Sequence, residues 1–336
     1  MSDLPNDHPI WWQWPTVLSL DAPIVALVWQ ALFAQVANAH LLAHHSIILG
    51  AVTWLVYAAD RWTEGFEIKP ERVQTQRHRF YQRYRLLFAL AICMVAVATF
   101  LLALTALTAR EWRVGLALAA PVAAYLAIGP LLRRFTPWRL PKEVLIALLF
   151  AAGSACFPFA NATTNAQPLF ASVAWFVVLC FVNLALIAHW EREVDAAHGH
   201  ASLALAHPWV NRWIRIAPWL LAICAGGAGF QGWLGPIFAT RAIGLSALLM
   251  ALLDRAEPRL GRRPARVLVD TALLTPCYFC SNPPRSRRTF RRYKAYRSAL
   301  RLQVSSLIPL SVNDTTTRRV LTFGGGCSVF LLLPGG

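Results

Sequence analysis

Residues 86–108 read LLFALAICMVAVATFLLALTALT, twenty-three positions without an acidic or basic side chain. As an α-helix rising 1.5 Å per residue, this stretch is about 35 Å long, enough to cross the roughly 30 Å hydrocarbon layer of a bilayer. In hydrocarbon every backbone N–H and C=O needs an internal partner, and a helix supplies nearly all of them within one segment. The stretch therefore reads as a membrane-crossing helix. Arg83 and Arg85 before it, and Arg110 and Arg113 after it, bound it sharply.

Outward from this segment the pattern recurs. Apolar blocks occupy residues 22–38, 46–59, 114–132, 144–160, 169–189, 214–230 and 237–253, with a shorter ninth at 267–280. The whole chain of 336 residues is 57% hydrophobic and 14% charged, with a mean hydropathy of +0.47. Ordinary soluble domains approach a quarter charged residues, and disordered chains are poorer still in apolar residues, so both classes are excluded. A membrane β-barrel would show short alternating strands instead. The predicted fold is all-α: a multi-pass transmembrane helical bundle of eight to nine helices. Its transmembrane domain is expected at 21–276, between an interfacial N-terminal segment (1–20) and a basic C-terminal tail (277–336).

A formal charge of +16 invites a nucleic-acid reading, but its distribution argues otherwise. Lys and Arg number seven in 60–85, four in 133–142, three in 190–215 and five in 254–266, while the alternate loops hold only Arg110, Arg113 and Arg241. That asymmetry is the positive-inside signal. It predicts an integral membrane protein with its N-terminus and the four basic loops in the cytoplasm, the bilayer as surroundings, and no nucleic-acid partner. The stretch Ile10-Trp11-Trp12-Gln13-Trp14-Pro15 lacks the basic start of a signal peptide. Its three tryptophans are expected at the membrane interface, which favours amphipathic rings. Residues 277–336 hold ten Lys/Arg against one acid, Asp314. They read as a poorly ordered appendage or the product of a shifted reading frame.

Two acidic clusters close spans two and six on the same predicted side. The first is Tyr57-Ala-Ala-Asp60-Arg61-Trp62-Thr63-Glu64, followed by Gln76-Arg77-His78-Arg79; the second is His189-Trp190-Glu191-Arg192-Glu193-Val194-Asp195. Asp60 with Glu64, and Glu191 with Asp195, are spaced i, i+4 and so share a helix face. Facing carboxylate pairs suit Mg²⁺, which takes oxygen ligands and is completed by substrate phosphates. Neighbouring arginines would grip phosphate oxygens. The blander reading is that acids at helix ends reach water and pair locally with Arg. The recurrence four helices apart, suggesting two four-helix halves, tips the balance toward a site. A third feature lies between spans four and five: Gly129-Pro130-Leu-Leu-Arg133-Arg134-Phe135-Thr136.

In these motifs the chain resembles the UbiA family of intramembrane aromatic prenyltransferases over roughly residues 20–276. That family has nine helices in two halves, an Asn-Asp-x-x-Asp-x-x-x-Asp motif after helix two, Asp-x-x-x-Asp after helix six, and a Tyr-Pro-x-x-Lys-Arg-Phe-Thr-like segment after helix four. Here Val56 and Tyr57 stand at the first motif's Asn and first Asp, Asp60 is kept and Glu64 replaces the last Asp. Glu191 stands for Asp while Asp195 is retained, Gly129 replaces Tyr, and Arg133 replaces Lys. The resemblance implies transfer of a prenyl group from a prenyl diphosphate to a lipophilic acceptor. Mg²⁺ would sit at Asp60, Glu64, Glu191 and Asp195, and the diphosphate against Arg61, Arg77, Arg133, Arg134 and Arg192. Tyr57, Trp62 and Trp190 are the aromatics that could face an allylic cation. The alternative is a non-catalytic relative binding a polyprenyl or other lipid phosphate.

Other motifs are weaker. His40 and His44, spaced i, i+4 with His45 beside them, would share a helix face and so could hold a local metal; a structural role is the commoner case. Cys277 and Cys280 form an isolated Cys-x-x-Cys without a second pair. Asp270, inside the last apolar segment, is costly unless it faces the bundle interior.

Overall fold

A computed structural model describes residues 13–67, 76–135, 142–163, 165–198, 203–207, 209–231 and 236–281. The expected tail from 282 onward, and Trp11 and Trp12, lie outside the described residues. Among the described residues there are helices and no strand. In chain order the helices are α1 (Trp14–Val17), α2 (Asp21–Val36), α3 (Ala43–Glu67), α4 (Gln76–Arg83), α5 (Arg85–Ala106), α6 (Ala109–Phe135), α7 (Lys142–Ala160), α8 (Gln167–His198), α9 (Leu203–Ala206), α10 (Val210–Gln231), α11 (Ile237–Leu260), α12 (Arg262–Thr271) and α13 (Pro276–Ser281). A 3₁₀ turn, Ala272–Leu274, follows α12. The chain divides into two compact units, Met1–Cys277 and Tyr278–Gly336; of the second, only Tyr278–Ser281 are described.

Among the described residues, four helices are long and apolar enough to cross a membrane: α5, α7, α8 over Gln167–Glu193, and α11. Helix α2 is apolar but has 16 residues. Helix α3 has 25 residues, but its first turn carries His44 and His45 and its last two turns carry Asp60, Arg61, Glu64 and Glu67. Only fourteen apolar-block positions remain between, about 21 Å of helix. The sequence blocks thus lie on helices, while their ends are more polar than a simple span requires.

Helix α2 sits at the centre and packs against α3, α7, α8 and α12. Its Trp29 stacks on Phe176 of α8 at a centroid distance of 4.0 Å. The Trp29 indole N–H donates to the Leu273 carbonyl, 2.9 Å away, in the turn after α12. That bond satisfies the polar edge of a wholly buried ring. By contrast α5 turns Leu86, Leu87, Leu90, Met94, Val97 and Leu101 outward. A contiguous apolar outer face of this kind fits lipid surroundings and is penalised by water. Hydroxyls within the apolar helices are satisfied locally: Thr99 donates to Val95 O, Ser154 to Phe150 O and Ser172 to Pro168 O.

Hydrogen bonds sort the loops into two ends. At one end His45, Glu111 and Asn161 meet, and Asn38 bonds Thr163. At the other, Arg61 reaches Thr16 and Ser19, Trp62 reaches Arg85, Trp190 reaches Asp254, and Glu143 reaches Leu203. Successive long helices therefore run in alternating directions.

Candidate functional site

Two cavities meet inside Met1–Cys277. The larger, about 500 Å³, lies among α3, α5, α6 and α7 and is almost wholly apolar, with Ile48, Thr99, Phe100, Leu126 and Phe157 in its walls. Val52, Phe100 and Leu116 line it and are also exposed on the outer surface, so it opens sideways. Its size falls in the range of about 300–1,000 Å³ typical of small-molecule sites. The smaller, about 80 Å³, lies among α2, α3, α7, α8 and α12 and is polar: Asp21, Tyr57, Arg61, Asn183, Arg266 and Asp270 face it. Tyr57, Ile146 and Phe150 line both. Those three side chains are thus a wall common to an apolar chamber and a more polar one.

Helix α3 continues to Glu67, which carries Arg61 toward the junction of α1 and α2. There its guanidinium donates to the Thr16 carbonyl at 2.8 Å and to the Ser19 hydroxyl at 2.5 Å, with Asp21 Oδ2 at 4.0 Å. Ser19 has φ +59, a conformation costly outside glycine; its hydroxyl, also bonded to Tyr81 at 2.8 Å, holds that turn. Arg61 is therefore a buried clamp as well as a wall of the polar chamber. Arg77 lies on α4, Arg133 and Arg134 on the last turn of α6, Glu64 on α3 and Asp195 on α8; their side chains fall outside what is described. Arg192 is exposed at the rim.

Glu191 is held by Arg266 of α12 in a short ion pair, and Glu193 pairs with Arg262 at 2.5 Å. Arg266 and Asp270, spaced i, i+4, face the chamber, and the Asn183 amide N–H donates to Asp270 Oδ1 at 3.1 Å. Helix α12 thereby joins the two motifs through Arg266 and Asp270. Sequence reasoning counted Arg266 only as a topology marker and overlooked Asp21 and Asn183. The available signal was the Arg266–Asp270 spacing next to an acid already conspicuous in an apolar segment.

Among the described residues no three His, Cys, Asp or Glu side chains come together as metal ligands. Glu191 gives its carboxylate to Arg266; of the expected Mg²⁺ set, the side chains of Glu64 and Asp195 fall outside what is described. Trp190 is buried, and its indole N–H donates to Asp254 at 3.1 Å. Asp254 also accepts from Arg215 at 3.0 Å. Trp62 donates to the Arg85 carbonyl. Of the three aromatics proposed to face a cation, Tyr57 lines the cavities.

The histidine motif resolves differently from a metal site. Helix α3 starts at Ala43, so His40 does not share a helical face with His44. The His45 Nδ1 accepts from the Leu42 N–H at 2.9 Å, which puts the ring proton on Nε2, donated to Glu111 Oε1 at 2.8 Å. A ring in that tautomer has no lone pair on Nε2 for a metal. Burial and the neighbouring His44 lower the His45 pKa, and Glu111 only partly counters them. Burial alone would raise Glu111, but hydrogen bonds from Asn161 and from the backbone and hydroxyl of Thr108 outweigh it and hold the carboxyl at about 2.

No family model, curated protein or solved structure matches the chain.

Proposed function

We propose that the chain is a multi-pass membrane protein that takes a prenyl-chain amphiphile from the bilayer, in the manner of the UbiA prenyltransferases it resembles. The observation that carries this is the meeting of the two cavities: an apolar chamber open sideways, ending at Tyr57 and Phe150 where the polar chamber begins. Such a chamber accepts a hydrocarbon tail laterally, because the tail leaves one apolar medium for another. The polar head then stops where hydrogen-bonding groups start. In this reading the end carrying Arg61, Glu191 and Arg266 faces the cytoplasm, supported by the concentration of Lys and Arg there, and the helices form two four-helix halves.

Transfer of the prenyl group from a prenyl diphosphate to a lipophilic acceptor is the activity this arrangement would serve; Mg²⁺, were it held by Asp60 and Asp195, would supply counter-charge for the diphosphate. The second reading, binding without transfer, is favoured by one observation: Arg61 and Glu191 are already engaged by Ser19, Thr16 and Arg266. One assay separates them. Purified protein is given labelled geranylgeranyl diphosphate with and without Mg²⁺, as wild type, Asp60→Ala and Asp195→Ala. Mg²⁺-dependent binding lost in both variants, with consumption once an acceptor is present, supports transfer. Binding indifferent to Mg²⁺ and to both substitutions supports the non-catalytic reading, and no binding removes both.

A further inference from the structure

Asn183 and Arg266, both in the wall of the polar chamber, each carry one buried atom without a hydrogen-bond partner, Asn183 Oδ1 and Arg266 Nε. Asn183 is 5% exposed. Its amide nitrogen is committed to Asp270, which leaves its oxygen as an acceptor. Arg266 Nε–H is a donor. Leaving either group unpaired in a buried site is costly, so the pair invites an occupant with both a donor and an acceptor.

The charges narrow its chemistry. Arg61 and Arg266 face Asp21 and Asp270 across the chamber, and Arg266 is further matched by Glu191. Among the described residues that line the chamber, the acids match the two arginines, so an uncharged head needs no counter-charge from them. The volume, about 80 Å³, suits a small head group, against roughly 30 Å³ for one water in the liquid. A hydroxyl is the smallest group that donates and accepts at once. Past Tyr57, the 500 Å³ apolar cavity has room for on the order of sixteen carbon-sized groups by the same measure.

We propose that the paired cavities bind a long-chain alcohol, its hydroxyl donating to Asn183 Oδ1 and accepting from Arg266 Nε–H, its chain passing Tyr57 and Phe150 into the apolar cavity. This rests on the reading that the apolar cavity holds a hydrocarbon chain. It assigns that chain's owner an uncharged hydroxyl head, and so names the class of the lipophilic acceptor or of the bound lipid.

The test uses the full chain in nanodiscs with two probes, tritiated geranylgeraniol and geranylgeranyl diphosphate, and three variants. Arg266→Lys keeps the cation for Glu191 but has no Nε–H, Asn183→Leu removes the acceptor, and Gly153→Phe fills the apolar cavity, where an added Cβ meets nothing within 4 Å. Thermal melting shows which variants are folded, and Arg266→Lys carries the test if Asn183→Leu is not. The expected result is saturable binding of the alcohol, weakened about tenfold or more by each head variant and abolished by Gly153→Phe. Alcohol binding indifferent to the head variants overturns the hydroxyl assignment. So does binding of the diphosphate alone, blocked by Gly153→Phe, and either result leaves the tail cavity standing. Failure of both probes to bind, or binding unaffected by Gly153→Phe, overturns the tail cavity as well and leaves the chamber a hydrated structural network.

Discussion

His45 and Glu111 tie the start of α3 to the start of α6, and Asn161 adds the end of α7. Their pKa directions give this contact a pH signature. Unfolded, the two groups titrate near their ordinary 6.5 and 4.5, whereas in the folded chain both lie lower, Glu111 at about 2. The unfolded chain therefore binds more protons in acid, and stability falls as pH falls. The melting temperature should be full above pH 6.5, decline as pH drops below it through His45, and decline again from 4.5 toward 2 through Glu111. In Glu111→Leu the second decline should largely vanish, and at pH 7 the variant should lose about 1–3 kcal/mol because the His45 and Asn161 donors are stranded. A melting profile of that variant parallel to wild type between pH 4.5 and 2 would refute the assignment. Arg61 makes a similar demand at the other end. Arg61→Lys, with a compact ammonium in place of a planar fork, should cost about 1–3 kcal/mol and speed proteolytic cutting near residues 13–20, read by limited digestion.

Helices differ in how openly their sequences declare them. Helix α5 is legible at once because twenty-three uncharged positions admit one structure in hydrocarbon, and its outward leucines agree with lipid contact. Val97, near its middle and 59% exposed, is a direct check. Val97→Lys should raise the cost of membrane insertion by about 2.5–3.5 kcal/mol, seen as loss of membrane-integrated protein, while Val97→Leu should be silent. Helix α12 shows the opposite case. Its arginines fit the positive-inside pattern so well that periodicity gave no reason to look further, and only three-dimensional placement shows Arg266 reaching Glu191, seventy-five positions away. Ion pairs between distant segments leave no trace in local spacing. The same limit explains why Arg61 reads as a phosphate ligand in sequence and is a clamp on Thr16 and Ser19 in the fold. Glu191's partner likewise could not be read from its own motif.

For the molecule as a whole, the orientation proposed from the Lys and Arg distribution puts the two ends defined by the loop contacts on opposite sides of the bilayer. In sealed right-side-out vesicles, Arg113→Cys at the Glu111 end should react with a membrane-impermeant maleimide from outside. Arg263→Cys at the Glu193–Arg262 end should react only after permeabilisation, each judged over the background of the native cysteines. The reverse pattern would invert the orientation, and equal labelling of both would count against a membrane-crossing bundle. The apolar cavity carries one more consequence. Gly115 and Gly153 both line it, and a side chain added at either would project into open space. Under the proposed reading the cavity is a yardstick whose length is set at two positions. Replacing Gly153 in steps by Ala, Val and Leu should shorten the longest chain accepted by a few carbons at a time, each methyl-sized group removing about 30 Å³. A ligand series graded in length would then read the depth of the chamber directly.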